Sequence, residues 1–149
     1  MSLIISNPRD FILEESLMNK LESAYQTISL NEGLSDSSIN MRIVDDKEMI
    51  SLNKKFRNKN NSTNVLSFTN EDISSAYTGD LGDIAINYEF VKKESSEQNK
   101  NFEDHMIHML VHGIYHILGF DHEDDEMAEF MERKEIAILN KLKINNPYK

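Results

Sequence analysis

From Met106 to Phe120 the chain reads MIHMLVHGIYHILGF, so a helix over this stretch is apolar on every side. Such a helix has no solvent face, and the rest of the chain has to wrap around it. Its polar exceptions are mainly histidines, and a buried imidazole needs a partner to offset its lost hydration. The stretch therefore predicts a central, buried, histidine-bearing helix.

His112 and His116 stand one turn apart, which puts both imidazoles on one face where they can grip one ion. Gly119 supplies the left-handed residue that ends a helix, and the returning chain can bring His122 to the same point as a third ligand. Three protein ligands with an open fourth position suit a catalytic zinc, whereas structural zinc is usually closed by four ligands, often cysteines. The chain has no cysteine, so a closed site would need another histidine or a carboxylate. His108 and His105 lie one and two turns before His112. At a rise of about 1.5 Å per residue they sit too far along the axis to join the same ion, and they read as packed, hydrogen-bonded histidines. Asp121 can orient an imidazole or cap the next helix.

The spacing H-x-x-x-H-x-x-G-x-x-H is shared with metzincin peptidases, whose general base is a Glu directly after the first His. Here that position is Gly113. Peptide hydrolysis by the usual route then lacks its proton acceptor. A helical glycine also costs about 1 kcal/mol relative to alanine, so something should need the space: close packing, or a bulky substrate near a metal.

Together with its flanking motifs the stretch resembles the YbeY endoribonuclease family. The resemblance rests on HMLVHGIYHILGFDH, with glycine after the first His, on the acidic HEDDEMAEFM, on TNVLSF, on LGDIAI and on the terminal NPY, and covers the chain from about Ile39 onward. It implies a metal-dependent, single-strand-type endoribonuclease that acts on precursor ribosomal RNA, at the 16S 3′ end, in ribosome biogenesis and quality control. It further implies one Zn2+ per chain on His112, His116 and His122, with other divalent metals acceptable to such a site, and a catalytic role for Arg57. Ribosomal RNA and ribosomal particles are the implied partners, and DNA is not expected. The family stretch commonly reads TDVLSFP; here Asn64 and Thr69 stand in place of Asp and Pro.

A chain of 149 residues, 39% hydrophobic and 28% charged, suits one soluble domain spanning 1–149. No apolar run nears the roughly 20 residues that cross a bilayer, and MSLIISNPRD lacks the features of a secretory signal, so no membrane partner and a cytoplasmic location are expected. A net charge of −10 argues against coating nucleic acid by general electrostatics. Yet Asn53 to Asn61 holds Lys54, Lys55, Arg57 and Lys59 without an acid. The lysines are candidate RNA contacts, or else a solvated helix end favoured by the macrodipole.

In order, Leu3 to Ile5 predict a strand. Leu17, Leu21, Tyr25 and Ile28 predict an amphipathic helix from Asp10 to about Gly33, and Ile39, Met41 and Ile43 a half-buried strand. Asp45 with Glu48 marks a helix that buries Met49, Leu52 and Phe56. Val65 to Phe68 and Leu81 to Ile86 predict strands, separated by a mobile polar connection from Glu71 to Asp80. Asn87 caps a helix through Lys93 that Ser95 to Lys100 breaks, Asn101 caps the buried helix, and the last helix from about Asp124 buries Met127, Phe130, Met131, Ile138 and Leu142. The pattern is that of an α+β fold, a small mixed sheet packed with helices. Three functions compete: an endoribonuclease, a ribosome assembly factor with a structural metal, and a peptidase with a base from elsewhere.

Overall fold

The apolar run Leu3–Ile5, the alternation over Ile39–Ile43 and the apolar stretch Ile84–Ile86 resolve into one sheet. In the computed structural model, which describes residues 2–34, 36–69 and 80–148, β1 (Ser2–Ser6), β2 (Ser38–Val44), β3 (Val65–Thr69) and β4 (Asp80–Asn87) lie in the order β1-β2-β4-β3. β2 runs parallel to both β1 and β4, and β3 is the antiparallel edge. Helices α1 (Glu15–Glu32), α2 (Asp46–Arg57), α3 (Tyr88–Glu97), α4 (Phe102–Ile117) and α5 (Asp125–Lys141) complete the α+β architecture among the described residues. No helix among them is long and apolar enough to cross a membrane.

Ile39, Met41 and Ile43 of β2 and Ile84 and Ile86 of β4 share one core with Leu17, Leu21, Tyr25 and Ile28 of α1 and Leu110 and Ile114 of α4. Each such side chain contributes about 1.5–3 kcal/mol by leaving water. α4 touches α1, α3, α5, β3 and β4, as its all-round apolar surface requires. Against the opposite face, Val44, Met49 and Ala85, with Leu52 and Leu66, dock α2. Other residues of that face, including Asn40 and Asp83, line a cavity of about 760 Å³.

The caps follow the expected residues. Asp45 accepts from the Glu48 amide at 2.8 Å, and Asn87 and Asn101 accept from Phe90 and Asp104 at 3.1 Å. The Glu48 carboxylate does not return to Asp45 but binds Arg42 Nε at 2.6 Å, so only half of the capping box forms. Asp124, not Asp121, caps α5.

Several expectations are corrected. α1 begins at Glu15 rather than Asp10, because the Asn7 amide holds both backbone groups of Phe11, at 2.8 and 3.1 Å, and prolongs the turn. α3 continues through Ser95 to Glu97, since the Ser95 hydroxyl donates back to the Lys92 carbonyl at 2.7 Å instead of breaking the helix. Phe56, Met127 and Phe130 are exposed, at 49%, 40% and 49%. α2 buries only Met49 and Asn53, and α5 only Met131, Glu135, Ile138 and Leu139, so these three lie off the packed stripes. The connection expected from Glu71 lies, up to Gly79, outside the described residues, and Asp80 already belongs to β4.

Candidate metal centre

The end of α4 is turned by its sequence. Gly119 takes a φ of +99°, its N–H donates to the His116 carbonyl and that of Phe120 to the Tyr115 carbonyl, both at 3.1 Å. This is the Schellman pattern, with its hydrophobic contact supplied by the rings of Tyr115 and Phe120, 5.5 Å apart. The reversal brings the His122 ring to 5.4 Å from that of His116 and 5.7 Å from that of His112, which are themselves 5.8 Å apart. Gly113 serves packing: a Cβ there would stand 3.1 Å from Ile84 Cδ1. The glycine lets α4 lie against β4, and the space it leaves is occupied by Ile84, not open to substrate.

Second partners orient two of these imidazoles. His112 Nδ1 lies 3.2 Å from Glu135 Oε2, and His116 Nδ1 lies 3.1 Å from the Phe120 carbonyl. A carboxylate and a carbonyl only accept, so Nδ1 carries the proton in both rings, and in the neutral form of each the lone pair is on Nε2. That is the tautomer a metal ligand needs. Burial first, and then the nearness of His112, lowers the His116 pKa and keeps the ring neutral.

Glu135 was not foreseen as a site residue. It is 0% exposed. Burial alone would raise its pKa, but hydrogen bonds from His108 and His112 prevail and hold it at about 2. Besides His112 it accepts from His108 Nε2 and from the Tyr148 hydroxyl, each at 2.9 Å. Its signal in the sequence is an acid four residues after Met131 and three before Ile138, on the apolar stripe of an acidic helix. The terminal NPY motif thus closes over the network through Tyr148, whose phenol pKa burial and Glu135 push up.

His105 and His108, read as packed residues, are buried and paired. His105 Nε2 donates to Glu94 at 2.7 Å, and Glu94 also accepts from the Asn64 amide at 3.0 Å. An Asp in place of Asn64 would set two carboxylates against each other there. Asp121 accepts from the His122 backbone N–H at 2.7 Å. Ligand atoms of His116, Asp121 and His122 lie within 4.8 Å of one another, a group able to hold a metal ion; the expected ligand His112 is not in that group, its ring lying 5.8 Å from that of His116 and 5.7 Å from that of His122, while Asp121 is. Imidazole nitrogens and a carboxylate, with two rings already in the ligating tautomer, fit a borderline divalent cation.

Arg57 ends α2 and reaches across to β3. Its guanidinium donates to the Ser67 carbonyl at 2.8 Å and to the Phe56 carbonyl at 3.3 Å, and lies 5.2 Å from the Phe68 ring. Arg57 and His116 line the same cavity. Lys54, Lys55 and Lys59 are exposed and do not line it.

Fold and site together define an α+β protein with a histidine-rich centre opening onto a cleft that contains an arginine. A family model described as Endoribonuclease YbeY matches residues 5–143. A protein named Endoribonuclease YbeY from Francisella philomiragia is 42% identical over 135 residues, 86% of this chain and 84% of that one. One of the same name from Alteromonas mediterranea is 47% identical over 117 residues, 78% and 74% of the two chains. The solution structure of TM1509 from Thermotoga maritima matches with a TM-score of 0.59 at 24% identity, covering 99% of both chains, a likeness of fold. The chain belongs to the endoribonuclease YbeY family.

Proposed function

We propose that this chain is a zinc-dependent endoribonuclease that cleaves precursor ribosomal RNA near the 16S 3′ end, working in the cytoplasm with ribosomal particles as a single domain spanning 1–149. Family membership supports the reaction, hydrolysis of RNA phosphodiester bonds. The observation that carries the mechanism is that Arg57 and His116 line one cavity. His112, His116 and His122 are the proposed ligands, with Asp121 as a neighbouring carboxylate. A bound divalent ion supplies Lewis acidity, acidifying water and neutralising phosphate charge.

The protein's own groups prepare that chemistry. Glu135 and the Phe120 carbonyl fix the His112 and His116 tautomers, so no proton has to be moved before a ligand binds. Arg57, braced by the Ser67 carbonyl, presents a planar fork to phosphate oxygens and stabilises the charge that builds on them. The test is cleavage of a precursor ribosomal RNA 3′ end by metal-stripped protein, by the same protein after zinc is restored, and by Arg57→Ala. Zinc should restore cleavage, and Arg57→Ala should lower it about 100- to 1000-fold with metal binding and fold intact. Undiminished cleavage by Arg57→Ala would remove that residue from the mechanism. No cleavage by the zinc-loaded protein would leave the assembly-factor reading.

A further inference from the structure

We propose that Phe56 and Phe68 form a stacking subsite for an unpaired nucleobase, beside the phosphate position at Arg57. The proposal deepens the endoribonuclease reading and rests on it. Phe56 was expected in the core, yet stands at the last turn of α2 with 49% of its surface exposed. A single exposed phenylalanine is ordinary. This one lines the cavity shared by Arg57 and His116, where its ring centre lies 5.0 Å from that of Phe68 on β3, the planes tilted by 56°. Arg57 already lies over the Phe68 ring, 5.2 Å from its centre, and Lys55 lies over the Phe56 ring at 5.2 Å without lining the cavity, so the base would stack chiefly on Phe56, with Phe68 as its wall and Arg57 beside it to bind phosphate.

The surroundings suit one nucleotide of a single strand. The cavity, about 760 Å³, is of the size of small-molecule sites, which run from about 300 to 1,000 Å³. Ile4 and Leu52 extend its apolar wall, while Asn40 and Asp83 bring an amide and a carboxylate that can meet the polar edge of a base. In a chain of net charge −10 this lining carries Arg42 and Arg57 against Asp83. Arg42 is held by Glu48 at 2.6 Å, which leaves phosphate recognition to Arg57. A base already stacked within a duplex cannot lie on these rings, so the subsite gives the expected single-strand preference a physical basis in Phe56 and Phe68.

The chain contains no tryptophan, so Phe56→Trp places a single indole at the subsite. Its fluorescence is titrated with a short single-stranded RNA of the ribosomal 3′-end sequence, with the same strand made abasic at successive positions, and with its duplex. The background is His116→Ala, to keep the strand intact, and thermal melting checks the fold of every variant. The single strand should quench the indole, one abasic position should abolish the quench, and the duplex should give none. In the same background Phe56→Ala should weaken binding about tenfold, and Phe56→Tyr should restore it. A strand that binds without quenching, or with affinity indifferent to Phe56→Ala, overturns the proposal. Cleavage of the same strand by the zinc-loaded unsubstituted protein is assayed in parallel. Quenching without cleavage keeps the subsite and sinks the nuclease reading, cleavage without quenching does the reverse, and the absence of both sinks both.

Discussion

α4 carries two sets of histidines that differ in burial and in which ring nitrogen the protein engages. Toward its start, His105 and His108 are buried, each with Nε2 on a carboxylate, Glu94 or Glu135, and with no partner at Nδ1 among the described residues. Toward its end, His112 and His116 reverse the pattern, with Nδ1 on Glu135 or the Phe120 carbonyl. The first pair tie helices together, and the second pair leave Nε2 clear of these acceptors, as the proposed ligand role requires. A histidine's role is set by which nitrogen its neighbours occupy, and by whether the other meets protein or cavity. Glu135 belongs to both sets, since it accepts from His108 with one oxygen and from His112 with the other.

Substitutions that treat the two sets alike would break this comparison. The largest effect on stability is expected from His108→Ala, which opens a hole and removes a donor from a carboxylate that is 0% exposed. Thermal or urea unfolding should report a loss of about 3 kcal/mol. His116→Ala should instead leave stability within about 1 kcal/mol and weaken zinc binding more than about a hundredfold, read by competition with a chromogenic chelator. A loss of about 3 kcal/mol in His116→Ala, or of less than about 1 kcal/mol in His108→Ala, would reverse the assignment.

Glu135→Gln sharpens the comparison because it touches both sets at once. Zinc affinity should fall about 10- to 100-fold through His112. The acid limb of stability should change as well. The carboxyl titrates at about 2 in the folded protein, against an ordinary value of 4.5. Between those values the unfolded chain binds the proton and the folded one does not, so stability rises with pH there. The contribution is present above about pH 4.5 and is lost as pH falls toward 2. Metal-free Glu135→Gln should therefore lose less stability than the unsubstituted protein when acidified across this window, measured by urea unfolding at each pH. The smallest effect belongs to Lys54, Lys55 and Lys59. Replacing any one of them by Ala should reduce the salt dependence of RNA binding by no more than about one counterion, with cleavage chemistry unaltered.

The histidine spacing, the glycine that turns the chain after α4, and the alternation in β2 and β4 were legible in the sequence because each is a local pattern with a period or a fixed offset. The same holds for Asp45, Asn87 and Asn101, whose side chains reach a backbone only three residues away. The exposure of Phe56 and Phe130 was not legible: periodicity marks an apolar face but not how far the neighbouring layer extends over it. Nor was Glu135, whose partners His108 and His112 lie on another helix, 27 and 23 residues away in the chain.

The sequence by itself determined that a buried helix would carry its imidazoles on one face, end at Gly119 and return His122 toward them, because these are relations within a single turn or two of chain. Only the tertiary structure decided which nitrogen each imidazole keeps free, that Gly113 makes room for Ile84, and that Arg57 shares a cavity with His116. Those relations join residues far apart in the chain, and packing between layers sets them, where no local period reaches.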